Sequence, residues 1–576
     1  MNLPKEEKIE KIFRIVSIFA IVFCCLLLFP YMRNLIIEIT EKVLGRNLKN
    51  HSKWLNLLLK YSLYAIFIFS IILTSTLEKL EVFYKKYGKH FFIITSTGII
   101  VMSVIVRIIM YIKCRSLWFD EAMLAHSIVT RNWFELLVPP LLNMQSAPVL
   151  YVIAVKAICS FIGYSEFSLR VFSLFSFFGL LLCEIILLKK AFNLDNYRIA
   201  FVVVVSALLP GYIWYSNELK PYMGDAFFVV FTILLYYFYM QEKIKLPLLS
   251  VLYILVLGFS SPALFFIGGI LFNEFLFSAF NKNKKLLIST VISGIAIIAV
   301  FGLYYYWWML PVLKPMQIYW DRFRQYNIKG VQNIFSPGYV NSDSSFVKFF
   351  VPFALMGFFS LSKLKNKIAC SVILSLFFAF LASALGYWPL SGRLWLFLPV
   401  IVLIFTPLGI DFIHDKIKIK KVTGKIEFII FLVATLHLSI GCLGYTGDKM
   451  YFPRHEINPL ICFVQRNIKE DEKLYIYPEA RSAFDYKNGY TATKIGNVSE
   501  DNILYGKNRD EWNEAYPGDE LQLILKYKKT YLIFSHYLGG YWGGIENGLA
   551  VLRNYGTLTE IMNVHDTPLY YFEKAE

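Results

Sequence analysis

The chain is 576 residues long, 57% hydrophobic and 18% aromatic, with only 17% charged residues and a formal net charge of +17. Soluble globular domains carry about a quarter charged residues and fewer apolar ones, so the composition excludes that class and points to an integral membrane protein. The excess of 58 Lys and Arg over 41 Asp and Glu reads as membrane topology rather than nucleic-acid binding, because cytoplasmic loops collect basic residues.

In chain order, apolar runs long enough to cross the hydrocarbon recur from Ile12 to about Leu443. Basic clusters stand at 5–14, 79–89, 189–190, 243–245, 282–285, 363–367 and 416–425. All of them fall on one side if spans run at about 12–32, 54–76, 90–112, 165–188, 198–215, 221–240, 246–260, 262–280, 286–310, 346–361, 368–386, 394–413 and 426–443. The expected fold is therefore a polytopic α-helical membrane protein of about thirteen spans, N-terminus cytoplasmic and C-terminus outside. The basic stretch 33–53 runs against this pattern. No small-residue cleavage site follows the first apolar run, which is read as a retained span. The eight cysteines form no CxxC pair, and HExxH, Walker A and GxGxxG patterns are absent. A zinc protease, an ATP-driven pump and a dinucleotide enzyme thus lose their signatures.

The longer outside loops are 113–164, 311–345 and the tail from 444, and the short connections 217–220 and 387–393 carry charge at the membrane boundary. The first loop opens with "SLWFDEAML", where Asp120 and Glu121 adjoin a long apolar segment. Helix capping explains an acid there. Successive helical residues point about 100° apart, so the two acids cannot face one atom. "DEAMLAHSIVTRNWFELL" has apolar residues near helical spacing and reads as an in-plane helix ended by Pro139 and Pro140. "APVLYVIAVKAICSFIG" is short for a span, and its central Lys156 would cost roughly 2.5–3.5 kcal/mol within the bilayer, so a second in-plane helix is expected.

Next, "WYSNELKPYMGDAFF" places Glu218 and Lys220 between two spans, flanked by Tyr215 and Tyr222. Asp225, one turn inside the following span, needs a partner, which Lys220 or Glu218 can supply. "GYWPLSGRLWLFLPV" carries Arg393 alone at the outer end of a span; an Arg fork suits phosphate, and snorkelling to headgroups is the plainer account. The loop "YWDRFRQYNIKG" adds Arg322 among aromatics. His126 and His437 read more readily as structural histidines than as ligands. In the tail, the strand 474–477, helical stretches on either side of it, and a later strand in "TYLIFSH" suggest a small soluble α/β domain.

These motifs, in this order and on this side, resemble the GT-C superfamily of polyprenyl-phosphate-dependent glycosyltransferases, in particular the branch of protein O-mannosyltransferases and lipid A aminoarabinose transferases. The resemblance rests on "WFDEAMLAHSIVTRNWF", on "SAPVLYVIAVKAICSFIGYSEFSLRVFSLFSFFGLLL" with Gly163 and Arg170, on "NELKPY" and on "SGRLWLFLPV". It covers roughly 90–443. It implies three parts: a two-span addition at 1–89, a GT-C-like catalytic domain at 90–443 with in-plane helices in its first catalytic outside loop, and an extracytoplasmic α/β domain at 444–576. The family's acidic loop usually follows its first span, whereas here it follows the third, and Ala147 stands where the family often has a further proline.

The resemblance implies transfer of a sugar from a polyprenyl-phosphate donor to a lipid, glycan or protein acceptor at the outer face of the plasma membrane, with membrane lipids as the other partners and no nucleic acid. Asp120 is the candidate base and Glu121 its catalytic neighbour. Lys220 and Arg393 are candidates for the phosphate, with Glu218, Tyr222 and Arg322 lining the donor site. Glu218 or Glu121 would orient a cation or hold a divalent metal; some relatives use a metal and no cofactor is certain. The rival readings are a flippase or transporter of lipid-linked saccharides, which would carry polar groups near the bilayer midplane, and a ligase of whole glycans.

Overall fold

The computed structural model describes residues 78–317, 345–362, 367–389, 392–417, 431, 435, 455–490, 498–513, 518–535, 544–565 and 567–576. Helix α1 (Glu78–Ile112) leads into the 113–164 loop, which holds α2 (Phe119–Thr130), two short 3₁₀ turns and α3 (Val149–Ile162). The bundle continues with α4 (Glu166–Ile186), α5 (Asn196–Leu208), α6 (Pro210–Tyr215), α7 (Tyr222–Met240), α8 (Leu246–Phe259), α9 (Ala263–Phe280) and α10 (Lys284–Tyr304). Helices α11 (Ser345–Ser362), α12 (Lys367–Ala384) and α13 (Phe397–Ile417) follow among the described residues, the last preceded by a 3₁₀ turn at Gly392–Trp395.

Among the described residues six helices are long and apolar enough to cross a membrane: Lys89–Ile112, Glu166–Ala191, Tyr222–Met240, Ala263–Phe280, Lys284–Leu313 and Lys367–Ala384. The protein is a multi-pass membrane protein. Each expected span from 90–112 through 394–413 coincides with helix, while 12–32, 54–76 and all of 426–443 except the helical Phe431 and Thr435 lie outside the described residues. Expected span 198–215 is not one helix. Pro210 has no N–H to donate to the preceding turn and disfavours helical geometry in Leu209, whose ψ is 121°, so α5 stops at Leu208 and α6 starts afresh. At 13 residues α5 is about 20 Å long, too short for the hydrocarbon. It is buried along nearly its whole length by α1, α4 and α13 rather than facing lipid.

Close approach of backbones holds α11 to α13. A Cβ on Gly409 would overlap the Phe353 carbonyl, and one on Gly357 would overlap the Phe405 carbonyl. Small residues allow such contact where no hydrophobic effect drives helices together in lipid. Gly409→Val is expected to destabilise the protein by about 1–3 kcal/mol, checked by its thermal unfolding in detergent.

The C-terminal part contains α14 (Asn458–Asn467), α15 (Arg481–Tyr490), α16 (Asp519–Leu525), α17 (Glu546–Arg553) and strands β1 (Lys473–Ile476), β2 (Ile503–Tyr505), β3 (Lys529–Ile533), β4 (Gly556–Asn563) and β5 (Pro568–Lys574). The sheet order is β2-β1-β3-β5-β4, with β2, β1 and β3 parallel and β5 and β4 antiparallel. Strands β1 and β3 are those the apolar runs indicate. The β4–β5 hairpin goes unread in the sequence because β4 is mostly exposed and alternates weakly.

This sheet-bearing part is built onto the 113–164 loop. Leu124, Ile128, Val152 and Val155 share one apolar core with Leu460, Ile461, Tyr475 and Phe484, and α15 packs directly on α2. Polar ties reinforce the junction: Glu456 accepts from Ser116 N and Oγ at 3.0 and 2.5 Å, and Glu166 accepts from Asn458 Nδ2 at 2.8 Å. Lys487 reaches the same Glu166 at 3.3 Å. Loop helices and sheet domain therefore lie at the same end of the bundle.

Candidate functional site at the loop end of the bundle

The N-cap of α2 is Trp118, so Asp120 and Glu121 both lie in its first turn and the capping position expected for Asp120 belongs to another residue. The two acids diverge. Glu121 points inward and is fully buried, taking Arg170 Nε and Nη2 at 2.8 Å each, Arg115 Nη1 at 2.9 Å and the Leu219 backbone N–H at 2.7 Å. Burial alone would push its carboxyl up. The two guanidiniums and the Leu219 N–H outweigh that and hold it at about 2. Arg170 also donates to the carbonyls of Arg115 and Ser116, and Arg115 to that of Asn217. One carboxylate thus ties α2 to α4 and to the 216–221 turn.

That turn carries the second group of candidates. Glu218 is buried and accepts from the indole N–H of Trp118 at 3.1 Å and from that of Trp214. Lys220 Nζ donates to Gln145 Oε1 at 2.7 Å, which ties the middle of the 113–164 loop to this turn. Burial lowers the Lys220 ammonium below the ordinary lysine value, partly countered by Asp120. Asp225 finds neither expected partner; Ser260 Oγ on the α8–α9 connection donates to it at 2.7 Å. That serine lies across a helix interface, invisible to local reading.

Asp120 points the other way. Its Oδ2 receives Arg393 Nη1 at 3.0 Å, across 273 residues of chain. The Arg393 guanidinium lies 5.7 Å from the centre of the Tyr222 ring, which packs edge-on against Tyr215 at 5.2 Å. Asp120, Arg393 and Glu218 all act electrostatically on Lys220, and Asp120 and Arg393 on Tyr222. Arg322 and His437 lie outside the described residues.

Sequence reading missed Arg115 altogether, although it stands five residues before the acidic pair, and gave Lys156 no role. Lys156 Nζ donates to the carbonyls of Ile128 and Arg131 at 2.7 and 2.6 Å, satisfying the open C-terminal end of α2. Its charge is therefore local glue. Lys156→Met is expected to cost about 1–3 kcal/mol by orphaning those carbonyls, read as faster proteolysis of the loop. Arg131 in turn donates to the carbonyls of Val138 and Pro140, beside a cis Pro139–Pro140 bond. Along this segment opens a mostly apolar cavity of about 640 Å³ lined by Val138, Pro139, Leu142 and Met144 among others.

His126 is half-buried, its imidazole pushed down by burial and facing Asp485 and Arg481 of α15. No group of three His, Cys, Asp or Glu able to hold a metal occurs among the described residues. Glu121 and Glu218, the candidate metal ligands, have their oxygens turned to N–H donors, which fits the orienting of cations and indoles and not metal ligation.

No family model matches the chain, and no curated protein matches it. Several solved structures are similar to it. Apo ArnT from Cupriavidus metallidurans is 10% identical with a TM-score of 0.44, covering 82% of this chain and 98% of its own. The same protein bound to undecaprenyl phosphate is 9% identical with a TM-score of 0.45 and the same coverage. The Archaeoglobus fulgidus oligosaccharyltransferase complexed with zinc and sulfate is 13% identical with a TM-score of 0.47, covering 80% of this chain and 71% of its own.

Proposed function

We propose that this protein is a membrane glycosyltransferase that moves a sugar from a polyprenyl-phosphate donor to an acceptor hydroxyl at the extracytoplasmic face, by a single inverting displacement. The observation that carries the reading is the meeting of Asp120 with Arg393 beside Lys220 and Tyr222, at the end of the bundle where the outside loop and sheet domain sit. A hydroxyl attacking an anomeric carbon needs a carboxylate to take its proton. A leaving lipid phosphate needs cations where its charge grows. A phosphate of low basicity leaves with little help from a general acid. Asp120 is the base, Arg393 and Lys220 face the phosphate, Tyr222 backs the guanidinium, and Glu121 and Glu218 are positioning residues.

Within the spans, Glu184 near the end of α4 is buried and bonded to Ser206, and Glu274, just past the middle of α9, is buried and bonded to Tyr236 and Lys367. Sequence reading singled out neither acid. A purified sample in lipid nanodiscs, given a panel of polyprenyl-phosphate sugars with lipid, glycan and peptide acceptors, should consume one donor, measured by mass. A full panel left untouched overturns the proposal.

Carrier-phosphate affinity should depend on Lys220. A lysine is charged below its pKa, and burial lowers that of Lys220 from 10.5. Binding is therefore expected to weaken as pH rises through a value below the ordinary lysine range, and Lys220→Arg should remove that alkaline limb in a titration of carrier binding.

A further inference from the structure

Asp120 Oδ2 and Arg393 Nη1 meet at 3.0 Å with both side chains partly open, 20% and 16% exposed. Lys220, Glu218 and Glu121 are held more deeply. Lys220 is bonded to Gln145, Glu218 lies under two indoles, and Glu121 is enclosed by Arg115 and Arg170. An anion approaching Arg393 finds a guanidinium already bonded to a carboxylate. A guanidinium offers its N–H donors in a rigid fork that suits carboxylate and phosphate alike, so the two anions are rivals for the same donors.

Resting on the transferase reading above, we infer that the carrier phosphate takes Arg393 from Asp120, so that the donor binds before the acceptor and its arrival frees the oxygen that accepts the acceptor's proton. In the step that follows, the acceptor oxygen bonds to the anomeric carbon and its proton passes to Asp120. The bond from that carbon to the phosphate oxygen breaks, its electron pair staying on the phosphate, which gains a second negative charge facing Arg393 and Lys220. The proton leaves Asp120 for water, and the carboxylate recovers Arg393 as the carrier departs. Sugar-free carrier, which holds Arg393 in the same way, competes with the donor.

The test is a double-mutant cycle on the binding of sugar-free polyprenyl phosphate to the full chain in nanodiscs, read by native mass spectrometry. Asp120→Asn should tighten binding at least about fivefold, and Arg393→Gln should weaken it. In the Arg393→Gln background the gain from Asp120→Asn should vanish, and in Arg393→Lys, which keeps the charge without the fork, it should shrink. A gain that persists undiminished in both backgrounds is plain charge repulsion, and no gain in the parent means no rivalry; either result overturns the inference. If the unaltered protein fails to bind the carrier at all, the transferase reading falls with it. The two failures are thus distinguishable.

Discussion

Asp120→Asn is expected to lower kcat by about 10²–10⁴-fold, the usual contribution of a positioned general base, while leaving the chain folded. Two features separate these outcomes. The side chain is partly open and its pair with Arg393 spans a solvent-reachable gap, so losing the ion pair costs stability only about 0–1 kcal/mol. The amide keeps the shape of the carboxylate and can still accept from Arg393, but it cannot take a proton. Donor consumption by mass, with gel filtration as the folding control, checks the prediction; near-normal turnover would remove Asp120 from the chemistry.

Its neighbour should behave in the opposite way. Glu121→Gln is expected to destabilise the protein by about 3–5 kcal/mol, because it leaves Arg115 and Arg170 packed without their anion. Activity then falls through loss of the folded fraction and through misplacement of Asp120, not through a missing proton acceptor. The pH dependence follows from the same contacts. The folded carboxyl titrates at about 2 against an ordinary 4.5, so its folded value is depressed. The stability it contributes, on the order of 3 kcal/mol, is fully present above about pH 4.5 and is lost as pH falls toward 2. Thermal unfolding followed between pH 6 and pH 3 should show this loss in the parent and not in Glu121→Gln. A variant as stable as the parent at neutral pH would refute the structural role given to this acid.

Much of the fold was legible in one dimension. Hydrocarbon demands a run of apolar residues and refuses unpaired charge, and each condition is met or failed locally, so the six spans at 90–112, 165–188, 221–240, 262–280, 286–310 and 368–386 could be placed from composition and basic clusters. Strands β1 and β3 were legible for the same reason, as short apolar runs between turns, whereas the exposed β4 carried no such mark. The break at Pro210 was written in the sequence too, since a missing N–H acts on its own turn. It was overlooked because the apolar run continues through it.

What each charge does was decided only by packing. From the sequence, Asp120 and Glu121 are equivalent acids in one helical turn, and Arg393 is a lone cation at a span end. Helix α2 turns one acid into a cage of two arginines and the other toward a guanidinium 273 residues away. Lys156, costly on paper, becomes a cap for α2, and Asp225 is satisfied by a serine from a different connection. The physical reason is the range of the forces involved. Transfer of a side chain out of water depends mainly on that side chain, while a hydrogen bond or ion pair depends on ångström-scale placement of two groups that only the assembled bundle brings together.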